Sequence, residues 1–397
     1  MMEEKLSEKI HLWPEEIVRE GDNITLGAII EKPDGTRRRL WYRLPEAYRD
    51  AVTKSCDPFV LGILFTIMKS PVEMQVHGQV SPSLLRNLAE FQEVWSCWMP
   101  DKYKRNEISA DVEEESLRAE TDEAILAFSG GGDSAYSAWH HRVGNTDRQK
   151  RNLVAGVMFH GFDFPLSEPD IFAGAAERSR LMLASIGMEL IPIATNFREM
   201  GGTWEEAHGA GLASGLALLQ GKYNTGLIAG SYDYAHLVIP WGSNPITDWM
   251  MSSDSFQILH DGAALDKLEK IVMIKEWPEA LKYLRVCYTG QTSGNCCRCF
   301  KCVKIMMIFR MLGLGAPECF EHDISDSEIL RLRFPNLGDI HSGEKFVEQA
   351  KAASIEAPWL RAFQFSIFIN RLRLTLGQVV PARKLARRFY RFFFPPL

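Results

Sequence analysis

Segments of two kinds alternate between residues 124 and 230, and this alternation limits the fold more than any other feature of the sequence. Short apolar runs typical of buried strands are separated by longer runs with helical periodicity. The predicted strands are 124–128, 153–159, 189–194 and 225–230, and the predicted helices are 134–142, 172–186 and 203–220. Apolar strands joined by helices form parallel sheets covered by helices on both faces. The sequence therefore predicts an α/β fold with a parallel-sheet core.

The regions that flank this core lack the alternation of strand-like and helix-like segments. Two β-favouring runs surround Pro33-Asp34-Gly35-Thr36, which predicts a hairpin, and helical periodicity follows at 58–69 and 82–98. Residues 231–294 are rich in turn-forming residues and are expected to be mostly loop. The predicted organisation is an accessory α+β domain at 1–110, an acidic linker or solvated helix at 111–123, the core at 124–315 and a helical C-terminal extension at 316–397.

Charge and cysteine content restrict the compartment and the partners. The net charge is −6 over 397 residues, which gives no overall electrostatic case for nucleic-acid binding. The N-terminus MMEEKLSEKI lacks the apolar stretch of a secretory signal, and eight cysteines in such a chain favour a reducing compartment. The apolar run at 59–68 is about half the length of a membrane span and predicts a buried helix. We expect a cytoplasmic protein.

A glycine-rich loop follows the first core strand. The sequence Ser129-Gly130-Gly131-Gly132-Asp133-Ser134 separates this strand from the first core helix. Consecutive glycines allow backbone N–H groups to converge on one point beside the positive end of a helix, which suits phosphate. The alternative is a tight turn without a ligand. Neither the ending of a P-loop nor G-x-G-x-x-G is present, so neither common nucleotide motif applies.

The hexapeptide resembles the SGGxDS signature of the PP-loop ATP pyrophosphatases, which belong to the adenine nucleotide alpha hydrolase-like fold. These enzymes cleave ATP between its α and β phosphates and adenylate a substrate oxygen. The resemblance implies that Ser129, Gly130, Gly131, Gly132 and Ser134 hold pyrophosphate. It also implies that Asp133 contacts Mg²⁺ or the phosphates, which makes Asp133 and Ser129 the candidate catalytic residues. The implied cofactors are ATP and Mg²⁺.

Five cysteines lie between residues 287 and 302. Cys287, Cys296, Cys299 and Cys302 have the spacing C-x8-C-x2-C-x2-C. Four thiolates with C-x2-C pairs suit a closed tetrahedral Zn²⁺ site, although an iron–sulfur cluster also accepts four cysteines. The alternative, buried thiols scattered through a core, does not explain such clustering. We expect a zinc knuckle at 287–302.

Taken together, the loop and the cysteine spacing resemble 7-cyano-7-deazaguanine synthase and its relatives over residues 121–310. This resemblance implies ATP-dependent adenylation of a carboxylate or carbonyl, attack by ammonia or an amine, and a structural zinc. Three departures concern the substrate: Cys297 stands where that family tends to have glycine, the loop after residue 230 matches poorly, and both flanking regions are additional. The expected partners are a small-molecule acid and ammonia or an amine donor.

Two other functions remain open from the sequence. Some PP-loop enzymes transfer sulfur to a nucleobase or to tRNA, and Cys297 is a candidate sulfur carrier, although a structural thiol beside the zinc knuckle is the alternative. The second open function is that of a non-catalytic scaffold protein that binds ATP. That version predicts ATP binding without turnover.

Polar residues follow the other predicted core strands at the same carboxyl edge of the sheet, where ligands bind in such folds. They are candidates for substrate contacts or for ordinary turns: 160–164, 196–198, 231–233, Ser243, Asn244 and Asp248. His77 and His208 are interpreted as structural or exposed rather than as ligands.

The chain ends in a basic tail. No acidic residue occurs after residue 369, whereas the basic residues there are Arg371, Arg373, Arg383, Lys384, Arg387, Arg388 and Arg391, with aromatic residues at 389, 390 and 392–394. The tail predicts a contact with a membrane surface or a protein, and an RNA contact is possible but not favoured. The alternative is a terminal helix that packs its apolar face and leaves the arginines in water.

Overall fold

A computed structural model describes residues 9–144, 148–287, 289 and 291–379. It contains two compact units, the first ending at Leu284 and the second beginning at Arg285.

The first unit is built on one mixed, mostly parallel sheet of eleven strands among the described residues. The strands are β1 (Ile10–Pro14), β2 (Val18–Glu20), β3 (Asn23–Glu31), β4 (Arg37–Pro45), β5 (Met74–Val80), β6 (Ile108–Glu113), β7 (Glu123–Ala127), β8 (Asn152–His160), β9 (Glu189–Thr195), β10 (Thr225–Ala229) and β11 (Gln257–Asp261). The helices of this unit are α1 (Asp57–Ile67), α2 (Pro82–Trp98), α3 (Gly132–Trp139), α4 (Pro169–Ala184), α5 (Trp204–Ala217), α6 (Lys267–Ile274) and α7 (Pro278–Tyr283).

The strand order is β11-β10-β7-β8-β9-β4-β3-β1-β5-β6, and β2 pairs with β3. All pairs from β11 to β9 are parallel, so the predicted parallel-sheet core of an α/β fold is confirmed. Strand β4 pairs antiparallel with β9 through Tyr42–Thr195 and Arg43–Ala194. Strands predicted for an accessory domain and strands predicted for the core therefore belong to one sheet. The assignment of this core to the PP-loop type stays a prediction.

Local sequence signals account for several of these elements. The β3–β4 turn has Gly35 at φ +78°, and the Asp34 carboxylate accepts a hydrogen bond from the Thr36 N–H (2.9 Å). Helix α1 is buried over almost its whole length, as expected for an apolar run too short to span a membrane. It packs on α5, where a Cβ at Gly62 would lie 3.1 Å from the Ser214 hydroxyl, so glycine permits this close approach.

Two sequence predictions differ from the structure. Residues 111–113, expected in a linker or solvated helix, complete β6 and pair parallel with β5. The expectation of loop for 231–294 is wrong at β11, α6 and α7. Strand β11 is only five residues long and depends on β10 for its hydrogen bonds. Helix α6 begins with a capping box of Asp266 and Glu269, a signal that is visible in the sequence.

The regular elements in the described part of the second unit are helices, and the predicted helical extension at 316–397 is described as far as Val379. Its helices are α8 (Phe300–Met311), α9 (Asp326–Leu330), α10 (Leu337–Ala352) and α11 (Pro358–Val379). Its core is aromatic: the ring of Phe334 lies 4.7 Å from Phe300 and 5.7 Å from Phe363. Most of the predicted basic tail, residues 380–397, lies outside the described residues. Among the described helices, none combines the length and the hydropathy that crossing a bilayer requires.

Candidate functional site

The glycine loop lies at the carboxyl end of β7, which is flanked by β10 and β8 in the parallel part of the sheet. Strand β7 ends at Ala127 and α3 begins at Gly132. This strand–loop–helix context is the one that the sequence predicts for the loop. It places backbone N–H groups of the loop at the positive end of the α3 dipole.

The three glycines of this loop have three different environments. Gly130 has φ +75°, a conformation that other residues rarely adopt. Gly131 has ordinary extended dihedrals (φ −84°, ψ 170°) and caps α3. A Cβ at Gly132 would lie 3.1 Å from Cδ1 of Ile271, so this glycine lets α6 approach α3. Only Gly130 therefore needs glycine for its backbone conformation.

The two serines brace the loop. The Ser134 hydroxyl accepts from the Ser129 N–H (3.3 Å) and donates to the Gly131 carbonyl (3.2 Å). The Gly131 N–H donates in turn to the Ser129 hydroxyl (3.3 Å). These bonds connect both ends of the loop, so both serines contribute to its shape whether or not they contact a ligand.

Helix α6 brings two lysines to Asp133. Lys267 donates a hydrogen bond to Oδ2 of Asp133, and Lys270 donates to Oδ1 over 3.2 Å. The Lys270 ammonium also donates to the Gly230 carbonyl at the end of β10 (2.6 Å). Lys270 is only 1% exposed, which is rare for a lysine. The sequence analysis missed both residues because it expected loop at this position.

The charged groups at this site shift each other's pKa. Burial favours a raised pKa for the Asp133 carboxyl, but the Lys267 and Lys270 ammonium groups outweigh burial and hold this pKa below its ordinary value. Burial lowers the pKa of Lys270, and Asp133 opposes that shift. The site therefore holds one carboxylate between two amines and carries a net positive charge when both amines are protonated.

The expectation that Asp133 engages Mg²⁺ meets an obstacle in this geometry. Both of its carboxylate oxygens accept from lysine ammonium groups, whereas Mg²⁺ requires oxygen ligands free to coordinate it. Asp133 as arranged here thus does not fit the role of a Mg²⁺ ligand, and its contact with phosphates stays a prediction.

A second polar cluster lies at the carboxyl end of β11. Asp248 is fully buried and accepts from the Ser243 hydroxyl (2.7 Å), the Asn244 N–H (3.1 Å) and Nδ1 of His260 (2.8 Å). The three predicted residues Ser243, Asn244 and Asp248 are therefore brought together. His260, which the sequence analysis did not single out, joins them.

Gly230 connects this cluster to the lysines. A Cβ at Gly230 would lie 2.6 Å from Nε2 of His260, while its carbonyl accepts from Lys270. The His260 Nε2 is buried and has no hydrogen-bond partner among the described residues.

Other predicted residues at this edge make structural contacts. His160 bonds through Nε2 to the Pro165 carbonyl (2.9 Å) and stacks on Phe172. The Asn196 side chain bridges to β4 by accepting from the Trp41 N–H and donating to the Arg39 carbonyl. These bonds hold turns and join strands.

The remaining candidates at this edge make similar local contacts. Arg198 donates to the Phe162 carbonyl (2.9 Å) and lies over the Trp204 ring. Within 231–233, Asp233 accepts from the Ala235 N–H (3.1 Å) and so caps a short turn.

The two single histidines have surroundings that agree with a structural interpretation. His77 stacks on Trp13 at a centroid distance of 3.5 Å and bonds to His11 and Asp111. His208 is held by the Trp204 carbonyl, and burial lowers the pKa of its imidazole. Neither belongs to a potential metal-binding group among the residues that the structure describes.

The four predicted cysteine ligands converge in the second unit. The sulfur atoms of Cys287, Cys296, Cys299 and Cys302 all lie within 4.8 Å of one another. Tetrahedral Zn²⁺ with Zn–S bonds of about 2.3 Å sets its ligands about 3.8 Å apart. The Cys296–Cys302 and Cys299–Cys302 distances, 4.0 Å and 3.4 Å, bracket that value. The four cysteines can thus bind a metal such as zinc.

Neighbouring groups hold the cysteine cluster in place. The Asn295 carboxamide accepts from the Val286 N–H (2.8 Å) and donates to the Cys319 carbonyl (3.0 Å). The Cys299 N–H donates to the Cys296 sulfur (3.3 Å), a contact typical of metal knuckles. Hydrogen bonds from the other three thiols lower the pKa of Cys287, which favours its thiolate.

Cys297 is not part of this cluster. It is buried, and its φ of +58° lies in the region that favours glycine. Burial raises the pKa of its thiol, so little thiolate is present near neutral pH. A buried thiol with a raised pKa is poorly suited to carry sulfur.

Comparison of this chain with protein-family models, with curated proteins and with solved structures finds no match.

Proposed function

We propose that this protein binds ATP at the glycine loop and adenylates a carboxylate or carbonyl of an acceptor, after which ammonia or an amine displaces AMP. The observation that carries the proposal is the pair of lysines that α6 holds beside Asp133. Two lysine ammonium groups share one carboxylate beside the glycine loop, so an anionic ligand would neutralise the remaining positive charge. A polyphosphate is the anion that such a loop suits.

In the proposed reaction, an acceptor oxygen attacks the α-phosphorus of ATP and the bond to the β-phosphate breaks. Backbone N–H groups at the start of α3 and the ammonium groups of Lys267 and Lys270 bind the departing pyrophosphate. Asp133 holds both ammonium groups in position, which makes it a positioning residue in this scheme. Mg²⁺, when bound, would further neutralise the phosphate charge.

In the second step, the lone pair of ammonia or of an amine attacks the acyl carbon. The new C–N bond replaces the C–O bond to AMP, and the nitrogen releases a proton. No side chain of the protein acts as nucleophile. Catalysis rests on positioning and on stabilising the negative charge that develops on the leaving groups. The buried Cys297 gives no support to the alternative in which sulfur replaces nitrogen.

A product assay tests this proposal. Purified protein is given ATP·Mg²⁺, ammonia and a panel of carboxylic acids that includes 7-carboxy-7-deazaguanine. We expect AMP and pyrophosphate, dependent on one acid and lost when Lys267 and Lys270 are both replaced by Met. Lys275→Met is the matched control, because this half-buried lysine follows the end of α6 and pairs with Glu276 rather than with Asp133. Formation of ADP and phosphate would contradict the proposed chemistry, and ATP binding without turnover would favour the scaffold function.

A further inference from the structure

Helix α11 (Pro358–Val379) is apolar on two opposite faces. One face is buried in the second unit: the Phe363 ring lies 5.7 Å from Phe334 and 5.9 Å from Phe346. Ser366 and Asn370 on that face bond to the Leu332 carbonyl. These contacts account for the apolar residues on the inward face of α11. They do not account for the apolar residues on its outward face.

The outward face exposes large apolar side chains in helical register. Phe365 is 53% exposed, Phe368 56% and Leu372 44%, at a spacing of three and four residues. Other exposed large apolar residues in the described part of this unit, Leu314, Leu330 and Leu337, do not form such a stripe. A surface helix normally has a polar outer face. We call Phe365, Phe368 and Leu372 the outer α11 face.

The chain is strongly basic from the last part of this helix onwards. From residue 370 onwards it carries seven Lys and Arg and no acid, although the whole chain has a net charge of −6. Five of these basic residues and a run of aromatic residues follow Val379. An exposed apolar helix face that continues into basic and aromatic sequence combines the two signals that interfacial membrane binding needs.

We propose that the outer α11 face and the basic sequence after it bind the surface of an anionic lipid bilayer. Phe365, Phe368 and Leu372 enter the boundary between head groups and acyl chains, and the five basic residues in the sequence after Val379 provide attraction to the anionic head groups. Arg371 and Arg373 are not counted, because they bond to Glu344 and to the Phe334 carbonyl. Lipid suits this face because its three exposed side chains are apolar and lie on one side of a helix, the arrangement of a helix that lies in a membrane interface. The charge of the sequence supplies the complementarity to an anionic surface. This inference is independent of the proposed ATP chemistry.

Flotation of the full-length protein with lipid vesicles tests the inference. The vesicles contain phosphatidylcholine alone or phosphatidylcholine mixed with phosphatidylglycerol. We expect binding to the mixed vesicles only, and weaker binding as salt concentration rises. The double variant Phe365→Ser/Phe368→Ser should bind about tenfold more weakly because apolar area is lost from the interface. The triple variant Arg387→Gln/Arg388→Gln/Arg391→Gln should bind about a hundredfold more weakly.

The matched control is Leu314→Ser/Leu330→Ser, which removes apolar side chains of similar exposure elsewhere in the same unit and should bind as wild type does. Circular dichroism and thermal unfolding of each variant report whether the fold is kept. Absence of binding to the mixed vesicles would overturn the inference. Binding that is unchanged in the Phe365→Ser/Phe368→Ser variant would also overturn it. The same holds if sedimentation shows a dimer that this variant dissociates and the protein does not bind vesicles. Binding of single-stranded RNA instead of vesicles, lost in the same variants, would assign the surface to RNA.

Discussion

The ammonium group of Lys270 lies 3.2 Å from a carboxylate oxygen of Asp133, so α6 places a buried cation against the first turn of α3. If this cation binds phosphate, Lys270→Met should weaken ATP binding about tenfold or more, since a charge-assisted hydrogen bond contributes about 1.5–3 kcal/mol. Titration calorimetry with ATP measures the effect. Lys275→Met is the control and should bind ATP as wild type does. Equal affinities of all three proteins would rule out this role.

The Asp133 carboxyl should make stability depend on pH in the acid range. Its pKa in the folded protein lies below the ordinary value of 3.8, so its stabilising contribution is complete above that value and is lost as the pH falls through the folded pKa. The free energy of unfolding should therefore differ between wild type and Asp133→Asn by a constant amount near neutral pH. This difference should shrink below about pH 4.

Urea unfolding measured from neutral to acid pH tests this dependence. Asp254→Asn replaces an exposed carboxylate and reports the general effect of losing one negative charge. A difference between wild type and Asp133→Asn that stays constant to the lowest pH would show that Asp133 is not held ionised by the lysines.

Gly130 and Gly131 should respond differently to alanine. At φ +75°, Gly130→Ala should cost about 1–2 kcal/mol of stability, because an L-residue is strained in that conformation. Gly131→Ala should fold with nearly wild-type stability, since its dihedrals are ordinary for any residue. Thermal and urea unfolding of the two variants make the comparison. An equal loss of stability in both variants would show that the positive φ of Gly130 is not the reason for glycine at this position.

The cysteine cluster should bind a single metal ion, and Cys297 should not take part. Elemental analysis of purified protein should find zinc in wild type and in Cys297→Ser, and none in Cys296→Ser, because three sulfur ligands leave the tetrahedral site open. Retained activity of Cys297→Ser would agree with a structural thiol. Loss of activity with the metal still bound would instead revive the sulfur-transfer function.

Asp248 should be among the side chains most important for stability at the carboxyl edge. Asp248→Ala leaves the Ser243 hydroxyl, the Asn244 N–H and the His260 imidazole without their acceptor, which should cost about 3 kcal/mol or more. The exposed Asp254→Ala should change the free energy of unfolding by less than about 0.5 kcal/mol. Similar values for the two variants would show that the polar cluster relaxes without cost.

The sequence was most informative where a local pattern has one structural solution. Apolar runs of strand length separated by helical runs predicted β7 to β10 and α3 to α5 within a few residues, because burial on both faces leaves a parallel sheet as the available arrangement. The spacing of Cys287, Cys296, Cys299 and Cys302 similarly predicted a cluster that the structure contains. Both signals depend on residues near one another in the chain, which periodicity and spacing can detect.

Only the tertiary structure decided which distant residues meet at the loop. Lys270 is 137 residues from Asp133, and its buried ammonium donates to the carbonyl of Gly230, directly after the end of β10. Strand β11, which carries His260, forms its backbone hydrogen bonds with the edge of β10. The sequence by itself thus determined the strand–loop–helix unit, the parallel sheet and the four-cysteine cluster. Which charges surround the loop was decided by α6 and β11, since such contacts depend on packing between elements and leave no local pattern in the chain.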